Sequence, residues 1–133
     1  MKEKVLFVCV ENAGRSKMAE AFGRKYGLDC ISAGTLPADH VNPVVEEVMK
    51  EAGVPVIEEA PKIMTQEMVE NADLVVIMGC SVEESCPAPI ARSMKKKMVD
   101  WGLDDPKGKS KEEVIRIRDR IESLVRDLAH SNN

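Results

Sequence analysis

The stretch Val5-Leu6-Phe7-Val8-Cys9-Val10-Glu11-Asn12-Ala13-Gly14-Arg15-Ser16-Lys17-Met18-Ala19-Glu20-Ala21-Phe22 decides the fold. Val5 to Val8 is a short β-branched and aromatic run of the kind that forms a buried strand. Lys17 to Phe22 consists of good helix formers, with Ser16 suitably placed near the helix start. A loop that closes on a helix N-terminus should turn several backbone N–H groups into one concavity and so receive an oxyanion. Arg15 adds a planar fork able to hold two oxygens of a tetrahedral anion. Cys9 stands at the base of that concavity, where the same dipoles favour its thiolate. The expectation is a nucleophilic sulfur beneath a bound tetrahedral oxyanion. The plainer alternative is a small buried cysteine ending a strand, with Arg15 on a helix surface. The strand–loop–helix setting favours the first.

Working outward, the first helix should stop near Gly27, and Cys30 to Gly34 reads as a second strand. Pro37 to Asn42 is a loop, with Asn42 as an N-cap and Pro43 in the first helical turn. Val44, Val45, Val48 and Met49 give that helix its core-facing stripe, and Gly53 closes it. Val54 to Pro61 has no regular pattern. Thr65, Glu67 and Met68 begin a short helix ending near Asn71. Asp73 to Met78 is apolar on both faces, as a central parallel strand covered by helices should be. Lys97 to Trp101 is a shorter fourth strand, followed by a turn over Asp104 to Gly108. A last helix runs from about Ser110 to His130, with Val114, Ile117, Ile121, Leu124, Val125 and Leu128 on its apolar stripe.

Strands alternating with helices imply a three-layer α/β/α fold with a four-stranded parallel sheet, and right-handed crossovers favour the order 2-1-3-4. At 133 residues the chain should form one domain, residues 1–133. Its 19 basic and 23 acidic residues form no broad basic field, which argues against nucleic acid or an anionic membrane as partner. No apolar run reaches membrane-span length and the N-terminus lacks a signal-like apolar core, so a cytoplasmic location is expected. In a reducing compartment the four cysteines suggest chemistry more than structural bridges.

The order 2-1-3-4 makes the first and third strands neighbours, about 4.8 Å apart. Cys9 ends the first and Cys80 lies just past the third, so their sulfurs can approach across 71 positions of sequence. That inference adds redox chemistry to binding. Cys86 follows six positions after Cys80. On a helix that is about 9 Å of rise, while a disulfide needs Cα atoms within about 7 Å. The two can pair only if the turn between them unwinds; a metal pair or two buried cysteines are the alternatives. No CxxC is present and His40 and His130 lack ligand-like spacing, so no metal is expected. Cys30, inside a strand, reads as core. Asp105, on a turn overhanging the same edge, is a candidate to protonate a departing oxygen, against the alternative of an Asp-Pro turn initiator.

Taken together, Cys9-x5-Arg15-Ser16, Ser32-Ala33-Gly34, Val41-Asn42-Pro43, Asp73-Leu74-Val75-Val76, Cys80 with Cys86-Pro87, and Trp101-Gly102-Leu103-Asp104-Asp105-Pro106 resemble the low-molecular-weight protein tyrosine phosphatase superfamily. Within it they are similar to the thioredoxin-coupled arsenate reductases. The resemblance implies that Glu11, Asn12, Ala13, Gly14, Arg15 and Ser16 bind arsenate, with phosphate or sulfate as mimics, and that Cys9 attacks it with help from Asp105. It further implies that Cys80 and then Cys86 resolve the adduct, and that a thioredoxin-like protein reduces the final disulfide. No cofactor is implied, and a monomer is expected. Asn12 and Ser16 look like the residues that prop the loop and donate to the thiolate. Glu20 and Ser32 complete the loop support.

Three departures from the family pattern carry expectations. Glu11 is an acid in an anion loop, so its carboxylate must point outward. Lys62 stands where some relatives bind potassium with an Asp, beside Asn12, Glu20 and Ser32, and its ammonium is expected to replace that cation. Five residues separate Cys80 from Cys86, about one fewer than in some relatives, which shortens the loop that their disulfide would close. The rival function is a phosphatase needing only Cys9, Arg15 and Asp105, although the aromatics such enzymes carry after the Asp-Pro pair are missing. A non-catalytic thiol sensor is the third reading.

Overall fold

The computed structural model describes residues 3–79 and 87–131. Cys80 and Cys86 therefore lie outside the described residues. The chain runs β1 (Lys4–Cys9), α1 (Arg15–Lys25), β2 (Asp29–Gly34), α2 (Pro43–Glu51), α3 (Gln66–Asn71), β3 (Leu74–Ile77), α4 (Ala88–Met94), a 3-10 turn (Lys95–Lys97), β4 (Met98–Asp100) and α5 (Lys111–Ser131). The four strands form one parallel sheet in the order β2-β1-β3-β4. This is the expected order, and it follows from right-handed crossovers between consecutive parallel strands.

Alternation along β1 divides the core. Val5, Phe7 and Cys9 face α1, α2 and α5, while Leu6 and Val8 face α3 and α4, where Met64, Val69 and Met94 close the second layer. Phe7 is completely buried and its ring lies 5.8 Å from that of Trp101. Truncating such a side chain to Ala costs about 3–5 kcal/mol. Cys9 pairs with Gly34 across β1 and β2, and Val8 with Ile77 across β1 and β3. The C-terminal ends of the strands thus meet at one edge, where open α/β sheets bind ligands.

Local signals set most boundaries. The Asn42 side chain accepts from the Val44 amide with Pro43 in the first turn, and Thr65 accepts from the Met68 amide. Gly27 and Gly53 both take positive φ two residues beyond the last residue of their helices. At each, the paired 6→1 and 5→2 bonds of a Schellman stop form: Leu28 to Gly23 with Gly27 to Arg24, and Val54 to Met49 with Gly53 to Lys50.

Three details differ from the sequence expectation. The first helix starts at Arg15, so Ser16 is inside it and does not cap it; the N-cap is Gly14, with no side-chain cap bond. Helix α4 was not expected, because Pro87 and Pro89 flank its start and only seven residues are helical. On α5, Leu124 and Leu128 are only half-buried and Ala129 takes a buried position instead. No helix among the described residues is long and apolar enough to cross a membrane.

Candidate active site

The loop between β1 and α1 is held open by its own carbonyls. The carbonyls of Cys9, Val10, Glu11 and Ala13 accept from the amides of Thr35, Leu36, Ala38 and Asn42, which run outside the loop. A planar trans peptide points its N–H opposite its C=O. Drawing four carbonyls outward therefore turns the amides that follow them inward. The Gly14 carbonyl takes the first helical bond, from Met18, so the helix N-terminus opens into the same concavity. Gly34 is required where the loop crosses β2: a Cβ there would sit 2.6 Å from the Val10 carbonyl oxygen and 2.9 Å from the Asn12 nitrogen.

Beneath the loop lies a buried polar chain. Cys9 Sγ is 2.9 Å from Ser16 Oγ. Asn12 Nδ2 donates to Ser16 Oγ at 2.7 Å and to Ser32 Oγ at 3.0 Å, and Ser32 donates to Glu20 Oε1 at 2.7 Å. Asn12 Oδ1 accepts the Lys62 amide at 3.0 Å. Cys9, Asn12, Ser16, Glu20 and Ser32 are all at most 3% exposed. Ser16 accepts from Asn12 and keeps its own hydrogen, which it can donate to the Cys9 sulfur. Asn12 adopts φ +50°, a left-handed backbone that asparagine tolerates better than other side-chain-bearing residues. Its three side-chain bonds offset that strain.

Arg15 is 6% exposed and anchored from behind. Its Nη1 donates at 2.8 Å both to the Met78 carbonyl, just past β3, and to the Leu103 carbonyl, past β4. Nη2 lies on the cavity side, 3.8 Å from Asp105 Oδ2. Cys9, Glu11, Ala13, Gly14, Arg15 and Asp105 line one cavity of about 250 Å³, together with Ala38, His40, Asn42, Pro106 and Lys107. Sequence reasoning missed these last five. Asn42 and Pro106 read from the sequence as a helix cap, a turn residue and parts of the family motifs, while Ala38, His40 and Lys107 carry no local signal that places them there. Glu11 does point outward, its Oε2 lying 3.3 Å from Lys107 Nζ.

Lys62 supports the loop in another way than expected. Its backbone amide reaches Asn12, while its ammonium pairs with the Glu59 carboxylate and holds that acid below the usual carboxylate range. The expected replacement of a cation by the Lys62 ammonium is therefore not the geometry found. The wholly buried ammonium in this region belongs to Lys17, which donates at 2.8 Å to the Glu59 carbonyl. Burial lowers its proton affinity; the charges of Glu20 and Glu59 act in the opposite sense. Glu20 also pairs with Arg24, at 3.4 Å.

Cys30 is buried among apolar groups, and burial pushes its thiol up to about 12. It belongs to the core, as expected. Gly79, the residue before Cys80, lies against Arg15: a Cβ on it would come 3.0 Å from Nη1.

A cysteine at the end of a parallel strand, beneath a loop that closes on a helix N-terminus, is a phosphatase-like arrangement. The chain belongs to the low molecular weight phosphotyrosine protein phosphatase family, which matches residues 4–133. It is 35% identical over 126 residues to the arsenate reductase of Staphylococcus epidermidis, covering 93% of this chain and 94% of that one. It also resembles the thioredoxin-dependent arsenate reductase of Corynebacterium glutamicum, with 34% identity, a TM-score of 0.76, and coverage of 98% of this chain and 61% of that one. The YwlE arginine phosphatase of Geobacillus stearothermophilus superposes with a TM-score of 0.85 at 25% identity, over 97% of this chain and 92% of that one.

Proposed function

We propose that this protein reduces arsenate to arsenite by a three-cysteine relay. Arsenate sits in the cradle of residues 11–16, held by the loop amides and by Arg15. The Cys9 thiolate attacks arsenic, and an arsenic-bound oxygen leaves as water with a proton from Asp105. The Cys80 thiolate then attacks the Cys9 sulfur; the sulfur–arsenic bond breaks and its electron pair stays on arsenic, which leaves as arsenite. A Cys9–Cys80 disulfide remains. Cys86 attacks Cys80 and releases Cys9, and the dithiol of a thioredoxin-like protein reduces the Cys80–Cys86 bond. Two electrons pass from that dithiol to arsenic in each cycle. A dithiol-driven cycle of this kind fits a reducing compartment.

The observation that carries the reading is the polar chain that brings the Ser16 hydroxyl to Cys9 in a cavity shared with Arg15 and Asp105. The contact of Gly79 with Arg15 supports a resolving thiol one residue further on. Phosphoester hydrolysis is the second reading, favoured by the likeness to an arginine phosphatase. It would need Cys9, Arg15 and Asp105 alone. Arsenate-dependent NADPH oxidation, coupled through thioredoxin and its reductase, separates the two. The relay predicts turnover in the wild type and none in Cys9→Ser, Cys80→Ser or Cys86→Ser. A protein that hydrolyses p-nitrophenyl phosphate equally well with and without Cys80 and Cys86, and never consumes NADPH, would be a phosphatase.

A further inference from the structure

The turn that carries Asp105 is fixed to the anion loop at three consecutive residues. Asp105 Oδ2 lies 3.8 Å from Arg15 Nη2. Pro106 is buried directly against Gly14, so closely that a Cβ on that glycine would fall 2.8 Å from Pro106 Cγ. Lys107 Nζ lies 3.3 Å from Glu11 Oε2, across the mouth of the cavity. The turn is also braced internally: the Lys107 amide donates to Asp105 Oδ1 at 3.0 Å, and the Lys109 amide to the Pro106 carbonyl at 3.1 Å. A turn so keyed is a seated wall of the site rather than a free loop.

Two consequences follow for what fits. The cavity, about 250 Å³ and open on one side, lies below the roughly 300–1,000 Å³ of pockets that take organic ligands. Among the described lining residues there is no Phe, Tyr or Trp and the one ring is the His40 imidazole, so an aryl or acyl group on the anion has little to stack on and would press against Pro106 and the Glu11–Lys107 pair. A free tetrahedral oxyanion needs none of that room. Glu11 matters here because its charge, left unpaired at the mouth, would repel any anion; Lys107 neutralises it.

We propose that Gly14, by letting Pro106 seat against the loop, and the Glu11–Lys107 pair, by closing the mouth, make this site selective for free inorganic oxyanions over their esters. The proposal deepens the arsenate reading and rests on it for the physiological substrate. Its test does not. Three quantities are compared in the wild type, Gly14→Ala, Lys107→Ala and Lys107→Ala/Glu11→Gln: kcat/KM for p-nitrophenyl phosphate, the competitive inhibition constant of inorganic phosphate against that ester, and coupled arsenate turnover.

A Cβ on Gly14 would fall 2.8 Å from Pro106 Cγ, so Gly14→Ala must displace Pro106. It should raise ester kcat/KM relative to phosphate affinity by about tenfold, the scale of one misplaced methylene-sized contact. Lys107→Ala should weaken phosphate inhibition about threefold at low salt and less at high salt, and adding Glu11→Gln should restore it while leaving the mouth open to the ester. Lys107 is exposed, so its variants report even if Gly14→Ala fails to fold. An ester-to-phosphate ratio within about twofold of wild type in the double variant overturns the proposal, because the charge pair and the Lys107 side chain are then gone without effect. A wild type that consumes no arsenate while the ratio shifts as described would sink the reductase reading and leave the seated turn standing.

Discussion

Cys9 and Cys30 sit on neighbouring strands and are almost equally hidden, at 3% and 5% exposure, yet the fold gives them different surroundings. Cys9 ends β1 at the edge where the loop, the helix N-terminus and the β3 and β4 carbonyls converge. Cys30 lies opposite Val5, toward the other end of the sheet, with its sulfur 3.6 Å from the Glu20 carbonyl and against the space that Gly23 leaves open. One sulfur lies beside a hydroxyl at the open edge of the sheet; the other donates to a backbone carbonyl inside the core, where burial raises its thiol. Burial alone therefore does not decide what a cysteine does. The polarity of the strand end decides it.

The comparison breaks first at Cys9 itself. Cys9→Ser should abolish arsenate reduction and ester hydrolysis together, a loss of at least about 10³-fold read in the coupled assay, because an unactivated hydroxyl is a poor nucleophile. Arg15→Lys comes next. It keeps a positive charge but loses both the fork and the anchoring on the Met78 and Leu103 carbonyls, so kcat/KM should fall about 10²-fold.

Ser16→Ala removes the donor to Cys9 and leaves Asn12 with an unmet amide hydrogen. The rate of Cys9 alkylation by iodoacetamide at neutral pH should drop about tenfold, with about 1–3 kcal/mol lost from urea denaturation. Cys30→Ala should leave turnover within about twofold of wild type and cost about 1–2 kcal/mol of stability through lost packing. In the folded wild type, iodoacetamide at pH 8 should leave Cys30 unmodified.

A pH series sharpens the same contrast. The Cys30 thiol is raised from 9.0 to about 12 in the folded protein. Between those values the folded chain keeps a proton that the unfolded chain has lost, so stability must fall as pH rises through that window. The fall should be shallower in Cys30→Ala.

The sheet order was legible because each strand is a compact apolar run and each helix carries a 3.6-residue stripe. The caps at Asn42 and Thr65 and the stop at Gly53 act within a few residues and were legible for the same reason. Cys9, Arg15, Asn12 and Ser16 could be read together because they belong to one short loop. Helix α4 was hidden by Pro87 and Pro89, which speak for a turn as readily as for a first helical turn. The Lys17–Glu59 and Lys62–Asn12 contacts, the Glu11–Lys107 pair and the seating of Pro106 on Gly14 join positions 42 to 96 residues apart. No periodicity or local motif encodes such pairs. The charge of Lys62 drew attention in the sequence, but its backbone does the supporting.

The central claim is that electrons reach arsenic through Cys9 and leave the protein oxidised elsewhere. The most direct test is one turnover: reduced protein, one equivalent of arsenate, no external reductant, then alkylation and mass-spectrometric mapping of all four cysteines. The account predicts one arsenite released per chain, a Cys80–Cys86 disulfide, and Cys9 and Cys30 still as thiols. Arsenate recovered intact, with all four thiols reduced, would contradict it.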